Sequence, residues 1–258
     1  MRVTAIANPK GGTGKTTTAV NLAAAAALRG RRVLLVDMDK QGSATQWLNH
    51  SPDSDLLVRA LLGDVDPESI VVPTSVEGRE LIRASVAVQS EPVTSEPGSQ
   101  FLLREMLAKL APRDWVILDA PGDLGPITIM TLTAATDVLV PVPAGAMELD
   151  EVPKVQATIS KVQARLNPGL TMAGVLLTQV RMYGQHSSVL AREVGEQLRV
   201  DFAAGEVLSS VIRDDMRFRE APAARQPMAV YDPGGKGDQD YRAALDELTE
   251  REAINVVA

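Results

Sequence analysis

A glycine-rich run close to the first residue constrains the fold of this chain most strongly. The run reads Asn8-Pro9-Lys10-Gly11-Gly12-Thr13-Gly14-Lys15-Thr16-Thr17, between an apolar stretch at 3–7 and an Ala-rich one at 15–29. Glycines let a backbone turn tightly and direct its N–H groups at phosphate oxygens, and a helix starting there adds its dipole. The pattern predicts a phosphate-binding loop, in which Lys15 reaches the phosphates and the Thr16 hydroxyl binds Mg²⁺. The alternative is a plain glycine-rich turn, and Gly-Lys-Thr-Thr at a strand–helix junction argues against it.

Apolar patterning along the rest of the chain predicts an α/β fold. Short apolar runs alternate with longer amphipathic ones, which is typical of βαβ units around a parallel sheet. The expected strands lie at 3–7, 33–37, 115–119, 138–141 and 173–177. The expected helices lie at 15–29, 101–110, 127–135, 151–166, 188–199 and 240–251. We therefore expect one domain over residues 1–258, a mostly parallel twisted sheet with helices on both faces.

Residues 51–100 are the exception to this pattern. They are rich in Pro, Ser, Asp and Glu, and we expect an irregular acidic excursion with short strand-like pieces around 70–72 and 81–82. This stretch carries most of the net charge of −7, which argues mildly against a dedicated nucleic-acid binder. Residues 181–225 are neutral overall and rich in arginine, which softens that argument.

The composition excludes several classes of protein. Cysteine is absent, which rules out disulfides, Cys-based zinc sites, iron–sulfur ligation and thiol catalysis. No apolar stretch approaches the roughly 18 residues of a membrane span, and the first apolar run is too short for a signal peptide. Because aromatic residues make up only 3% of the chain, the core must be aliphatic. We expect a soluble cytoplasmic protein.

Carboxylates end two of the predicted strands. Asp37 and Asp39 close the stretch that begins at Val33, and Asp119 follows four apolar residues that begin at Trp115. Ligands bind at the carboxyl ends of strands in open α/β sheets. Asp119 is therefore a candidate to hold Mg²⁺ through a water, since Mg²⁺ keeps several of its waters. Asp37 and Asp39 would face the same side of a regular strand, and a simple turn is their alternative role.

The phosphate loop departs from the standard pattern in a specific way. The standard G-x-x-x-x-G-K-[ST] pattern needs glycine where this chain has Pro9, and a second lysine, Lys10, begins the loop. Lys-Gly-Gly-x-Gly-Lys-Thr resembles the deviant Walker A motif of the ParA/MinD superfamily of P-loop ATPases. The stretch 33–45 resembles the family's Asp-x-Asp-Pro-Gln-Gly signature, with Lys40 in place of proline. Asp119-Ala120-Pro121-Gly122 resembles its Asp-x-Pro-Pro segment, with Gly122 in place of the second proline.

The resemblance implies a role for individual residues. Nucleotide binding falls to Lys10, Gly11, Gly12, Thr13, Gly14, Lys15, Thr16 and Thr17, with Gln179 touching the adenine. Thr16, Asp37 and Asp119 would serve Mg²⁺. Lys10, Lys15 and Asp39 would be catalytic: Lys10 would reach phosphate bound by a second subunit, as an arginine finger does, and Asp39 would orient the attacking water. A solvated loop lysine is the alternative for Lys10.

Absent features narrow the resemblance within the superfamily. Its nitrogenase-type reductases need cysteines, which this chain lacks. Its MinD-type members bind membranes through a basic amphipathic C-terminal helix, whereas residues 249–258 carry one base and two acids. Lys10 comes almost at once, so we expect the short ParA form without an N-terminal DNA-binding extension. Its implied function is DNA partition. ATP and Mg²⁺ would drive a homodimer onto non-specific double-stranded DNA, and a ParB-like centromere-binding partner or cargo adaptor would stimulate hydrolysis and release.

Arginines late in the chain are the candidates for contacting DNA phosphates. They are Arg181, Arg192, Arg199, Arg213, Arg217 and Arg219, and a solvated surface charge is the alternative for each. Two other functions stay open: a nucleoid-associated ATPase that positions a protein cargo, and a small-molecule ATP-dependent synthase. A synthase would need its own acid–base groups, and the only histidines are His50 and His186.

Overall fold

The strands were located in a computed structural model, which describes residues 1–145, 152–184, 186–203 and 205–257, and side chains as far as residue 253. They are β1 (Arg2–Ile6), β2 (Val33–Asp37), β3 (Val71–Pro73), β4 (Arg79–Ile82), β5 (Trp115–Asp119), β6 (Asp137–Pro143), β7 (Thr171–Val180), β8 (Met182–Tyr183), β9 (His186–Ser187) and β10 (Val207–Arg213). Eight of them form one sheet in the order β10-β7-β6-β1-β5-β2-β4-β3. Every pairing in it is parallel except β3 on β4, while β8 and β9 form a separate small hairpin.

Helices cover both faces of this sheet. They are α1 (Lys15–Ala27), α2 (Ser43–Trp47), α3 (Leu56–Leu62), α4 (Glu91–Thr94), α5 (Leu102–Ala108), α6 (Pro126–Ala134), α7 (Val152–Arg165), α8 (Val189–Asp201), α9 (Arg217–Ala223), α10 (Met228–Tyr231) and α11 (Lys236–Val257), with 3₁₀ turns at Pro67–Ile70 and Ser99–Phe101. The predicted fold class is confirmed. None of the helices in the described ranges is long and apolar enough to cross a membrane.

Side-chain alternation along the strands separates the two faces. In β2, Val33 and Leu35 pack into the cluster that contains α1 and α11, whereas Leu34 and Val36 pack into the cluster with α3 and α5. Successive side chains of a strand point to opposite faces. Strands buried on both faces therefore read as continuous apolar runs, which is why the central strands were predictable.

Helix α1, which follows the phosphate loop, packs between the sheet and α11. Most of α1 is buried, because its alanines let the sheet on one side and α11 on the other approach closely. The i, i+3, i+4, i+7 stripe of α11 is buried as its spacing predicts, and it comprises Tyr241, Ala244, Leu245 and Leu248. The Tyr241 hydroxyl lies 3.2 Å from that of Thr18, which links α11 to the first turn of α1.

The short strands expected around 70–72 and 81–82 are confirmed as β3 and β4, whereas the helices within residues 51–100 and the strand β10 were not expected. Residues 51–100 supply α3, α4 and the strands β3 and β4, and β4 extends the sheet by pairing in parallel with β2. The edge strand β10 was not predicted, because Ser209 and Ser210 interrupt its apolar pattern. Their N–H groups donate to the Glu247 carboxylate of α11 at 2.8 Å each. These bonds satisfy backbone donors in the irregular stretch of the strand. The predicted helix start at residue 151 lies outside the described residues.

Candidate functional site

The phosphate loop joins β1 to α1 at the carboxyl edge of the sheet. Gly12 and Gly14 have φ angles of 76° and 91°, a left-handed backbone that glycine adopts without a Cβ clash. Asn8 ties the start of the loop to β6, since its amide donates to the Pro141 carbonyl at 2.8 Å. Its Oδ1 accepts from the Lys10 N–H at 3.0 Å. The loop is thus braced at the position where the standard pattern would have glycine.

Strand β7 holds the other side of the loop. The Thr178 hydroxyl donates to the Thr13 carbonyl at 3.0 Å, and the Gln179 amide donates to the Gly12 carbonyl at 2.6 Å. Gln179 has a φ of 54°, a strained value for a residue with a Cβ. These bonds use carbonyl oxygens of the loop, not the N–H groups that a phosphate needs.

Lys15 lies at the centre of the site. Its Nζ donates to the Lys10 carbonyl at 3.0 Å, so the side chain spans the loop from within. Burial lowers the pKa of Lys15, and the charges of Asp119, Asp39 and Asp123 oppose that shift. The amine is therefore a buried cation surrounded by acids, in the position expected of a phosphate ligand.

Asp37 ends β2 and is fully buried. Its Oδ2 accepts from the Thr45 N–H at 2.8 Å and the Thr45 hydroxyl at 2.7 Å, and its Oδ1 accepts from the Asp39 N–H at 3.2 Å. Burial raises the pKa of Asp37 to about 6, although these hydrogen bonds oppose the shift. The carboxylate thus holds the start of α2 against β2, a role that the sequence did not reveal.

Asp119 pairs in register with Asp37 across β5 and β2. It is fully buried, and burial together with the Asp37 charge raises the pKa of Asp119 well above its usual range. The Thr16 hydroxyl and Lys15 lie close enough to oppose this shift. Even so, neither Asp119 oxygen has a hydrogen-bond partner of acceptable geometry in the described part of the chain.

These two orphaned oxygens test whether the site fits Mg²⁺. A buried carboxylate without a partner is costly, and a hard cation with oxygen ligands relieves that cost. Among the described residues, no group of three or more His, Cys, Asp or Glu could hold a metal ion by itself. The donor set of Asp119 and the Thr16 hydroxyl therefore fits a cation that also takes oxygens from phosphate and water.

The other predicted catalytic residues lie around this centre. Asp39 is half-buried and accepts from the Gln41 N–H at 3.0 Å, while Lys40 is exposed. The Lys10 side chain is half-buried, and its carbonyl accepts from both Lys15 and the Thr13 hydroxyl. The roles given to Asp39 and Lys10 stay predictions.

Sequence reasoning missed one acid of the site. Asp123 lies in the loop that follows β5, and its charge acts on Lys15. The neighbouring Gly122 packs on the phosphate loop: a Cβ at this position would lie 3.7 Å from Lys15 Nζ and 3.9 Å from the Gly11 N and Cα. An acid four residues after Asp119 was the available signal.

A cleft of about 250 Å³ adjoins the phosphate loop on the α9 side. Gln179 and Thr17 line it together with Phe218 and Tyr241, whose rings meet edge to face with centroids 5.9 Å apart. Gln179 therefore lies beside the loop, and its contact with adenine stays a prediction. Sequence reasoning did not find the two aromatic residues, because they come from distant segments.

The candidate DNA-contacting arginines do not form one group. Arg192 and Arg199 are exposed on α8, while Arg181 and Arg219 line a second cleft beside β7. Arg213 is held by Asp240 at 2.6 Å, and Arg217 by Asp232 at 3.0 Å. Any phosphate contact of these last two would compete with an ion pair inside the protein.

A glycine-rich loop before a helix, with buried acids on adjacent parallel strands, defines the P-loop class of nucleotide-binding proteins. A family model described as an AAA domain matches residues 1–172. The chain is 40% identical over 251 residues to the chromosome-partitioning ATPase Soj of Thermus thermophilus, covering 97% of this chain and 96% of that protein. It is 35% identical over 256 residues to the chromosome partitioning protein ParA of Myxococcus xanthus, covering 97% and 89%. The chain belongs to the ParA/Soj family of partition ATPases.

Solved structures share the fold of this chain. A structure described as cobyrinic acid a,c-diamide synthase from Mycobacterium smegmatis, with bound ADP and magnesium, is 33% identical with a TM-score of 0.83. The match covers 98% of this chain and 96% of that one. The ATP complex of Cyanothece McdA has a TM-score of 0.85 at 20% identity, over 98% and 96% of the two chains, and it shows the fold alone.

Proposed function

We propose that this protein is a Mg²⁺-dependent ATPase that partitions DNA by binding it in an ATP-controlled way. The carrying observation is the pair of unpartnered, fully buried Asp119 oxygens beside Lys15 and Thr16. No other arrangement in the described residues combines a phosphate loop, a buried cation and an acid that lacks a partner. The homologous structure with ADP and magnesium supports ATP and Mg²⁺ as its ligands.

Each residue around the loop would have a separate role in binding or hydrolysing ATP. Thr16 and Asp119 would hold the metal, with Asp37 behind them. Mg²⁺, when bound, would neutralise charge on the phosphate oxygens. Lys15 would exchange its bond to the Lys10 carbonyl for a phosphate oxygen. Asp39 would orient the attacking water, and Lys10 of a second copy would offset the developing charge.

DNA binding would come from exposed arginines on α8. Arg192 and Arg199 are seven residues apart on α8, so they lie on one helical face. Because phosphate contacts release counterions, affinity would fall steeply with salt and show no sequence preference. A dimer could put two such sets of arginines on one face, a local concentration of positive charge that the net charge of one subunit does not reveal. The protein would then act in the cytoplasm on the nucleoid, with a ParB-like partner or cargo adaptor triggering release.

The test is binding to non-specific duplex DNA with Mg-ATP, with Mg-ADP and without nucleotide, across a salt series. We expect ATP-dependent, salt-sensitive binding that persists in Asp39→Ala and weakens in the double variant Arg192→Ala/Arg199→Ala. Arg59→Ala is the matched control, since Arg59 is an exposed helical arginine on the distant α3. Equal loss of affinity in the control would remove the α8 arginines from the DNA interface.

A small-molecule synthase is the second candidate, because the structure at 33% identity is described as one. ATP turnover stimulated by cobyrinic acid, together with no DNA binding under any nucleotide, would favour this function. Nucleotide-dependent DNA binding in which release follows a protein cargo adaptor would instead identify a positioning ATPase of the same fold.

A further inference from the structure

The loop at 120–125, which connects β5 to α6, lies directly on the phosphate loop. At Gly122 an added Cβ would make ordinary contacts with Lys15 Nζ and with Gly11, at 3.7 Å and 3.9 Å. The two loops are therefore neighbours with no side chain of residue 122 between them. Whatever charge the 120–125 loop carries acts at close range on the place where phosphate binds.

Asp123 supplies that charge. Its Oδ1 accepts from the Gly125 N–H at 2.7 Å and its carbonyl accepts from the Thr128 hydroxyl at 2.7 Å. These bonds fix the residue at the start of α6, while the side chain stays exposed at the surface of the site. Asp37, Asp39 and Asp119 already place three acids there, and Asp123 adds a further carboxylate to the site.

We propose that Asp123 is a specificity residue that selects nucleotide carrying Mg²⁺ over metal-free nucleotide. Its carboxylate repels the phosphates in proportion to their net charge, and it attracts Lys15, which must turn from the Lys10 carbonyl to meet them. Asp123 acts through this electrostatic field and is not a ligand of the metal. The inference rests on the proposed function, because it needs a phosphate site that binds nucleotide.

The test uses Asp123→Asn, which removes the charge but keeps an oxygen to accept from Gly125. Dissociation constants would be measured for metal-free ATP, Mg-ATP and Mg-ADP at low salt. Because the Coulomb energy scales with the charge of the ligand, binding should tighten most for metal-free ATP, by at least about tenfold, less for Mg-ATP and least for Mg-ADP. Asp123→Glu should bind all three as wild type does, and Asp64→Asn, at an exposed acid outside the site, is the matched control.

Salt separates a charge effect from a structural one. The screening length falls from about 10 Å at 0.1 M salt to about 3 Å at 1 M, so the advantage of Asp123→Asn should vanish at high salt. A ratio of wild-type to Asp123→Asn dissociation constants that does not change with salt or with ligand charge would overturn the inference. Weaker Mg-ATP binding in Asp123→Asn would also overturn it, since Asp123 would then be a metal ligand. If wild type bound no nucleotide, the proposed function would fail and this inference with it. If wild type bound nucleotide and Asp123→Asn did not differ from it, only this inference would fail.

Discussion

Replacing Asp37 with asparagine tests how much the buried acids destabilise the empty site. Burial raises the pKa of Asp37 from 3.8 to about 6, and each pKa unit corresponds to about 1.4 kcal/mol. The ionised carboxylate therefore costs the folded protein about 3 kcal/mol at pH 8. Because Asp37 is fully buried, solvent screening does not reduce this figure much. Asp37→Asn removes the charge, but its amide would face the Asp39 N–H, and that unsatisfied donor costs about 1–2 kcal/mol.

The sign of the pH dependence follows from the raised pKa. Protonated Asp37 stabilises the folded state, and this contribution is complete below pH 3.8 and lost as the pH rises through about 6. Without metal or nucleotide, Asp37→Asn should be more stable than wild type by about 1–2 kcal/mol at pH 8. Between pH 8 and pH 5.5 that advantage should shrink by about 1 kcal/mol, because wild type then begins to take up the proton.

Urea unfolding of both proteins at the two pH values measures these differences. Groups remote from Asp37 contribute equally to wild type and variant and cancel in the comparison, whereas Asp37→Asn also removes the charge that raises the pKa of Asp119. With Mg-ATP bound, wild type should again have the larger free energy of unfolding, because Mg-ATP stabilises it more than the variant. The argument that the Asp37 charge destabilises the folded protein would be refuted by either of two results. One is a gain in stability of Asp37→Asn that is equal at both pH values, and the other is a variant less stable than wild type at pH 8.

Three further variants test other parts of the structure. Lys15→Ala should abolish nucleotide binding or turnover, and unchanged ATPase activity would remove the phosphate-site assignment. Asp39→Ala should bind ATP and dimerise but hydrolyse it slowly; a variant that stays monomeric with ATP by light scattering would show that Asp39 does more than position water. Arg79→Met should stabilise the protein by about 1–2 kcal/mol in urea unfolding, because burial lowers the pKa of Arg79 to about 10 and one guanidinium nitrogen has no partner in the described part of the chain. Loss of its bond to the Thr74 hydroxyl at 2.9 Å limits that gain, and a large destabilisation would contradict this account.

Local patterns account for what the sequence could predict. The phosphate loop was predictable because glycines, Lys15 and the strand–helix junction lie within ten consecutive residues. Strand β10 was not predictable, because the Glu247 carboxylate that accepts from the Ser209 and Ser210 N–H groups lies 38 and 37 residues later in the chain. The same reason explains why the arginines could not be ranked, since the ion pair of Arg213 with Asp240 is visible only in the folded protein.

The acids at the sheet edge link stability to nucleotide binding. Asp37 and Asp119 are buried in register beside the phosphate loop, and burial opposes the ionisation of both carboxyl groups, a cost that a bound Mg²⁺ would relieve. A ligand that binds only the folded state stabilises it by an amount that grows with ligand concentration. The free energy that destabilises the ligand-free protein is therefore recovered when Mg-nucleotide binds, and it favours the metal-loaded nucleotide over the metal-free one. Variants that relax the empty site should for this reason become more stable and bind Mg-ATP less selectively, both from the same change in charge.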